Sequence, residues 1–489
     1  MASHEPISHV DTAWLRMDRP SNLMQILGVM LFDGQLDLQR LRNTVEQRML
    51  KHRRFRQRAV GGNDGWHWAD DPDFDLDNHL RRAMLAGAAG KVELEHFVAD
   101  LASQPLNPDR PLWELTLVDT ALGGQALVMR FHHCIGDGIA LVGVILSMAD
   151  EMAEGQTDDV VPSLAGTEDE HPLDLFFWQT FWQPVTDAML ASVRFSTSAW
   201  ARYVGLVTNP LQVFDYARVG AGVATEIARL ATMPDDSRTR FKGRPGTVKR
   251  VAWSEPISLP EVKAVGRVLG CSVNDMLLSA VAGALRDYLL AKGDPVDGVE
   301  VRALVPVNLR RPEDEGTLGN RFGLVALELP VGEENPLARL YATRERMEKL
   351  KGSYQAALTL TILGAVGMAP KFVQQQILDL LANKATAVMT NVPGPQKPLY
   401  LAGARLRQPL FWVPQSGDIG MGVSILSYDG KVQFGLITDR NLVPDPESIV
   451  DRFGREFEKL LLLVLMEPWG RLDDPAAVEA AVKAETKTR

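Results

Sequence analysis

Residues 125–138, QALVMRFHHCIGDG, constrain the fold more tightly than any other stretch of the chain. From Gln125 to His133 the residues alternate with the two-residue period of a strand. Leu127, Met129, Phe131 and His133 therefore share one face, and Val128, Arg130 and His132 the other. Only one of the adjacent histidines can face a given cleft. Leu127, Met129 and Phe131 make the His133 face the apolar one, which suits a base in a site that excludes water. Gly138 to Glu154 (GIALVGVILSMADEMAE) then reads as a helix, with Asp137 at its N-cap and Gly155 just past its end. A strand, a tight turn and a helix are predicted, with His132, His133, Gly136, Asp137 and Gly138 gathered at the turn.

Adjacent strand histidines point to opposite faces and cannot share a metal. No other cluster of His, Cys, Asp or Glu at ligand spacing lies nearby, so neither a metal nor a bound cofactor is expected. Asp137 can cap the helix, or pair with an arginine, while a histidine moves the proton. Cys134, beside that histidine, points to the opposite face of an extended chain and is a poor nucleophile candidate.

A chain of 489 residues, 46% of them hydrophobic, is long enough for two or three domains with large cores. Its formal charge of -10 and pI near 5.5 argue against nucleic acid as a partner and against a purely electrostatic grip on anionic membranes. Two cysteines, Cys134 and Cys271, make no disulfide framework and fit a reducing compartment. The opening MASHEPISHVDTAWL has neither a basic n-region nor an apolar h-region, so a cytoplasmic protein is expected. Polar breaks at Glu154–Glu170 and Pro234–Gly246 divide the chain into an N-terminal α/β domain (1–155), a helical linker (156–246), a C-terminal α/β domain (247–470) and a frayed tail (471–489). Both halves mix strands and helices, which places a site in the cleft between them. The aromatic cluster Phe176–Tyr203 and the apolar stretch Gly352–Pro370 are candidates for lipid contact; neither is long and apolar enough to span a bilayer. The basic run Arg48–Arg58 reads as a solvated face or a site for a ligand's phosphates or phospholipid headgroups.

Further motifs stand apart from the histidine pair. Ser272-Val273-Asn274-Asp275 opens an apolar helix: Ser272 is a good N-cap, Asp275 suits the macrodipole, and Asn274 is an amide able to hold a carbonyl or hydroxyl. Asn391-Val392-Pro393-Gly394-Pro395 makes a rigid turn after a strand, and Pro111-Leu112-Trp113 begins one, with Trp113 expected in the core. These segments, with His132–Gly138, Val305–Arg310 and the opening Ile7–Asp11, resemble in their order and over most of the chain the bacterial wax ester synthase/acyl-CoA:diacylglycerol acyltransferase family. Where many members read Pro-Met-His-Val-Gly near the first strand, this chain has Asn22-Leu23-Met24-Gln25-Ile26.

The resemblance implies two CoA-dependent-acyltransferase-like (chloramphenicol acetyltransferase-like) α/β domains, with mixed sheets flanked by helices and the active site at their interface. It implies His133 as the base, acyl-CoA as a substrate, and a long-chain alcohol or diacylglycerol as the acceptor. Gly136–Gly138 amides or Asn274 would stabilise the oxyanion. Such substrates would bring the protein peripherally to the inner membrane or to lipid inclusions. Two alternatives stand beside this reading: a condensation-like enzyme using a carrier-protein thioester, and a non-catalytic lipid-droplet protein. The sequence carries no signal of oligomeric state.

Overall fold

The computed structural model describes residues 5–62, 65–154, 235–309, 318–351, 384–466, 475 and 478–480. Numbered in chain order, the first part comprises β1 (Glu5–Pro6), α1 (His9–Met17), β2 (Gln25–Asp33), α2 (Leu38–Thr44), β3 (Gln57–Gly62), β4 (Gly65–Asp70), β5 (Leu80–Met84), α3 (Lys91–Ala102), β6 (Trp113–Asp119), β7 (Gln125–His132) and α4 (Gly138–Met148). The later part comprises β8 (Lys249–Trp253), β9 (Ile257–Ser258), α5 (Leu259–Leu269), α6 (Val273–Ala291), β10 (Val301–Asn308), β11 (Phe322–Leu329) and α7 (Pro336–Lys351). It continues with β12 (Ala387–Pro393), β13 (Tyr400–Leu401), β14 (Ala404–Trp412), β15 (Met421–Tyr428), β16 (Lys431–Asp439) and α8 (Glu447–Met466).

These elements form an α/β fold with two large mixed sheets, ordered β13-β14-β2-β7-β6-β5 and β11-β10-β12-β15-β16-β8, and a small β1-β4-β3 sheet. The local signals explain the elements. Gly270 stops α5 in the left-handed region at φ 64°, and Ser272 with Asp275 forms a reciprocal capping box on α6. Asp429 and Gly430, at φ 48° and 68°, turn β15 into β16.

Four expectations need correcting. The turn expected over Asn391–Pro395 begins later, because β12 runs on through Pro393, with Asn391, Val392 and Pro393 paired to Ile425, Leu426 and Ser427 of β15. Helix α4 ends at Met148 rather than Glu154. There Ala149 turns extended, Asp150 and Tyr400 exchange backbone hydrogen bonds of 2.8 Å, and Arg48 donates to the Ser147, Met148 and Ala149 carbonyls. Within the tail, residues 478–480 are helical rather than frayed, and Glu479 pairs with Arg344. Finally, the division into 1–155 and 247–470 is crossed. β14 leaves the later half and pairs antiparallel with β2, Trp412 opposite Leu27, while β8 packs on α3 of the first half. The helical linker up to residue 234, the Phe176–Tyr203 cluster and the Gly352–Pro370 stretch lie outside the described residues.

Part of the basic run is tied into the structure, while Lys51 and Arg56 stay exposed. Besides Arg48, which also pairs with Asp150 at 2.8 Å, Arg53 pairs with Asp70 at 2.5 Å, and Arg54 pairs with Glu5 at 2.8 Å while lying over the Trp68 ring. Among the described residues no single helix is long and apolar enough to cross a membrane.

Candidate active site

The two histidines are fixed through their backbone amides. His132 N–H donates to the Leu112 carbonyl at 2.9 Å, and His133 N–H to the Met24 carbonyl at 2.8 Å. Pro111-Leu112-Trp113 therefore does more than fill the core. Leu112 holds the histidine turn, while Trp113, fully buried, donates its indole N–H to the Phe55 carbonyl and stacks on His79.

The side chains then diverge as the strand period requires. The His132 Nδ1 accepts from the Cys134 amide at 3.2 Å, and its Nε2 lies 3.9 Å from Asp18. His133 turns into an aromatic slot instead. Trp14 of α1 lies parallel to its ring, centroids 4.1 Å apart and planes 16° apart, and Phe322 of β11 stands 5.5 Å away at 40°. Burial drives the His133 pKa down to about 4, against the opposing field of Asp137, so the ring is neutral near pH 7. His132 is driven to about 3, again by burial.

The turn between His133 and α4 is held by the later half. Asp137 caps α4 by accepting from Ala140 N–H at 2.9 Å, and its second oxygen accepts from Arg321 N–H at 2.9 Å. Asn320 donates from one Nδ2 to both the His133 carbonyl and Asp11, each at 2.7 Å. Asp11 is itself anchored by the Ser8 hydroxyl at 2.7 Å. Residues 11, 14, 133, 137, 320 and 322 thus meet at the junction of the halves. Within this group His133 Nδ1, Trp14 Nε1 and Asn320 Oδ1 are buried and make no well-aligned hydrogen bond among the described residues, although the Asn320 side chain lies near enough to help hold the His133 pKa up.

The other expected positions divide. Asp275 is spent in its capping box, and Asn274 Oδ1 accepts from Asn391 Nδ2 at 2.6 Å, which leaves the Asn274 amide hydrogens to donate. Gly394 is locked under β15: its amide donates to the Ser427 carbonyl at 2.9 Å, and a Cβ there would stand 2.4 Å from that oxygen. Val392, Gly394 and Pro395, on either side of Pro393, line a narrow apolar cavity against Val142, Ile145 and Leu146 of α4. Gly136 and Gly138 leave ordinary contact distances for a Cβ, 3.5 and 3.6 Å, so neither is demanded by sterics. Cys134 is wholly buried and its thiol is pushed well up, which makes it inert. Among the described residues no three His, Cys, Asp or Glu side chains converge as a metal site.

Trp14, Asn320 and Phe322 have no counterpart among the candidates drawn from the sequence. Asn320 bonds to residues 309 and 187 positions away, separations no local pattern encodes. Trp14 was accessible in principle, six residues after the Ser8 cap on the inner face of a short helix.

Comparison with known proteins follows the same lines. Residues 7–277 match the wax ester synthase/diacylglycerol acyltransferase catalytic domain, and residues 318–461 the WS/DGAT C-terminal domain. A probable diacylglycerol O-acyltransferase, tgs1 of Mycobacterium tuberculosis, is 28% identical over 390 residues, 77% of each protein. Among solved structures, the wax ester synthase/diacylglycerol acyltransferase of Marinobacter aquaeolei is 21% identical with a TM-score of 0.64, covering 94% of this chain and 99% of that one. The starter condensation domain of rhizomide synthetase is 14% identical with a TM-score of 0.57, covering 94% of each chain, a likeness of fold alone. With its catalytic-domain match spanning more than half its length, the chain belongs to the wax ester synthase/diacylglycerol acyltransferase family.

Proposed function

We propose that the protein is an O-acyltransferase that moves a fatty acyl group from acyl-CoA to diacylglycerol or a long-chain alcohol, with His133 as general base. The observation that carries this reading is a neutral, fully buried imidazole held at the junction of the two halves, with its ring in an aromatic slot and its turn capped by Asp137. Family membership supports the reaction class, and the condensation-like and non-catalytic alternatives are not favoured.

A hydroxyl is a weak nucleophile near neutral pH, so His133 takes its proton as the oxygen attacks the thioester carbonyl. The tetrahedral intermediate carries an oxyanion that needs donors. Within the turn, the amides of Cys134, Ile135 and Asp137 already donate to His132 Nδ1, the His132 carbonyl and the Gly319 carbonyl. That narrows the turn's contribution to Gly136 and Gly138, with the Asn274 amide as the side-chain candidate. Collapse expels CoA thiolate, with a thiol pKa of about 8.5, and the imidazolium returns the proton to it. Acyl-CoA enters as substrate, and no cofactor takes part in the sequence of steps.

The working location is the cytoplasm, with peripheral attachment to the inner membrane or lipid inclusions through apolar surface. Such attachment resists salt, so co-flotation with neutral liposomes should persist at high ionic strength.

The test of the base is His133→Ala. Thiol release from palmitoyl-CoA with hexadecanol or diolein as acceptor should fall by at least ~10²-fold in folded protein, with His132→Ala costing less. Near-wild-type release by folded His133→Ala would overturn the assignment.

A further inference from the structure

Trp14 touches the reacting side chain without being part of any step above. It sits on the buried face of α1, 6% exposed, and its indole covers the His133 imidazole in parallel at 4.1 Å. Phe322 from the second sheet closes the stack, 5.9 Å from Trp14 and 5.5 Å from His133. Face-to-face stacking at this distance is the geometry in which a π cloud meets a ring that gains positive charge.

We propose that Trp14 is a positioning residue that acts through His133, its π face favouring the imidazolium over the imidazole and so assisting proton uptake in the transition state. The inference rests on His133 being the base. Neutral imidazole gains dispersion from the indole, whereas imidazolium gains a cation–π attraction as well, and the difference is enlarged in a dry site. An interaction present only as charge develops raises turnover rather than substrate affinity.

The surrounding charges are fixed independently of the indole. Asp137 in the turn favours imidazolium, and neighbouring His132 on β7 opposes it. From α1, Asp11 is bonded to Asn320 and Ser8; beyond that helix, Asp18 faces His132. Arg54, packed against β4, sends its field to Asp11 and Cys134, and Arg321 before β11 contributes the amide that holds Asp137. Phe322 carries no charge. Changing the electron density of the indole alone leaves every one of these groups in place.

The test uses purified full-length protein with palmitoyl-CoA and hexadecanol. Trp14→Leu should lower kcat roughly 3- to 30-fold at the pH plateau with KM little changed, and Trp14→Phe should fall between it and the wild type. The acid limb of the kcat/KM profile should move to lower pH in both, because the free imidazolium loses its partner. Since Trp14→Leu also empties core volume, the decisive arm is fluorination, which withdraws density from the indole face at nearly constant shape. The chain has ten tryptophans, so fluorotryptophan is incorporated into both the wild type and Trp14→Phe. The inference stands if fluorination lowers kcat and shifts the acid limb in the wild type but not in Trp14→Phe. It falls if fluorination changes neither, or changes both proteins equally, while His133→Ala is inactive. Full activity of His133→Ala would remove the base assignment and this inference with it.

Discussion

Two buried polar clusters bridge the halves of this molecule, and they are completed to different degrees. At the first, Lys249 of β8 donates to the Ser21 carbonyl at 2.6 Å, to Asn22 Oδ1 at 2.8 Å and to Asp439 at 3.3 Å. Asn22 in turn donates to the Gly417 and Ile419 carbonyls, and the second oxygen of Asp439 accepts from Asn441 N–H at 2.9 Å. Around His133, by contrast, an imidazole nitrogen, an indole N–H and an amide oxygen make no well-aligned hydrogen bond among the described residues. Each such atom carries a desolvation cost of about 1–3 kcal/mol. The first cluster satisfies its atoms and so holds the halves together. The second keeps hydrogen-bonding capacity at the position where the proposed mechanism would receive a hydroxyl and a thioester.

Four experiments probe that contrast, the first three in descending size. Lys249→Met should destabilise the protein by about 3–5 kcal/mol in denaturant titrations, because it strands Asp439 fully buried without its cation; a loss below about 1 kcal/mol would show that the saturated cluster is dispensable. His133→Gln should abolish turnover yet flatten the dependence of stability on pH. His133 sits near 6.5 when unfolded and about 4 when folded, so between those values only the unfolded chain binds the proton, and stability falls as pH drops. Removing the ring should make that slope shallower by about 1.4 kcal/mol per pH unit, with His132 still contributing its own share.

Asp137→Ala should cost about 1–2 kcal/mol, because the cap on α4 and the link to the Arg321 amide go together. Asp137→Asn, which retains one acceptor, should lose less; equal melting points with activity lost in both would assign the carboxylate a direct electrostatic role. An effect confined to neutral and alkaline pH concerns Glu95, buried on α3 with Trp253 N–H as donor, its pKa raised from 4.5 to about 7 chiefly by burial. Between those values only the folded state holds the proton, so stability declines as pH rises through the window. Glu95→Gln should therefore raise the melting temperature at pH 8 and leave it nearly unchanged at pH 4.5.

Much of the architecture was legible because local chemistry decided it. Alternation gave β7, Asp137 gave the start of α4, Gly270 and Ser272 separated α5 from α6, and Asp429-Gly430 turned β15. The end of α4 was not, since its stop is written in Tyr400 and Arg48 rather than in the helix itself. Nor was the sheet that β14 would join: an alternating strand reads the same whichever edge it pairs with. At the site, His133 and Asp137 announced themselves by motif, while Trp14 and Asn320 are defined by contacts that exist only once the halves have met.

The insertion of β14 beside β2 also sets a schedule for synthesis. When β7 leaves the ribosome, β2 is still an open edge of nine residues, eight of them destined for burial. Its partner follows 280 residues later, a delay of roughly 15–55 s at ordinary elongation rates. During that interval the nascent chain displays a long apolar strand edge with no intramolecular mate. The first sheet is thus begun early and completed late, and the growing polypeptide has most need of chaperone cover between those two moments.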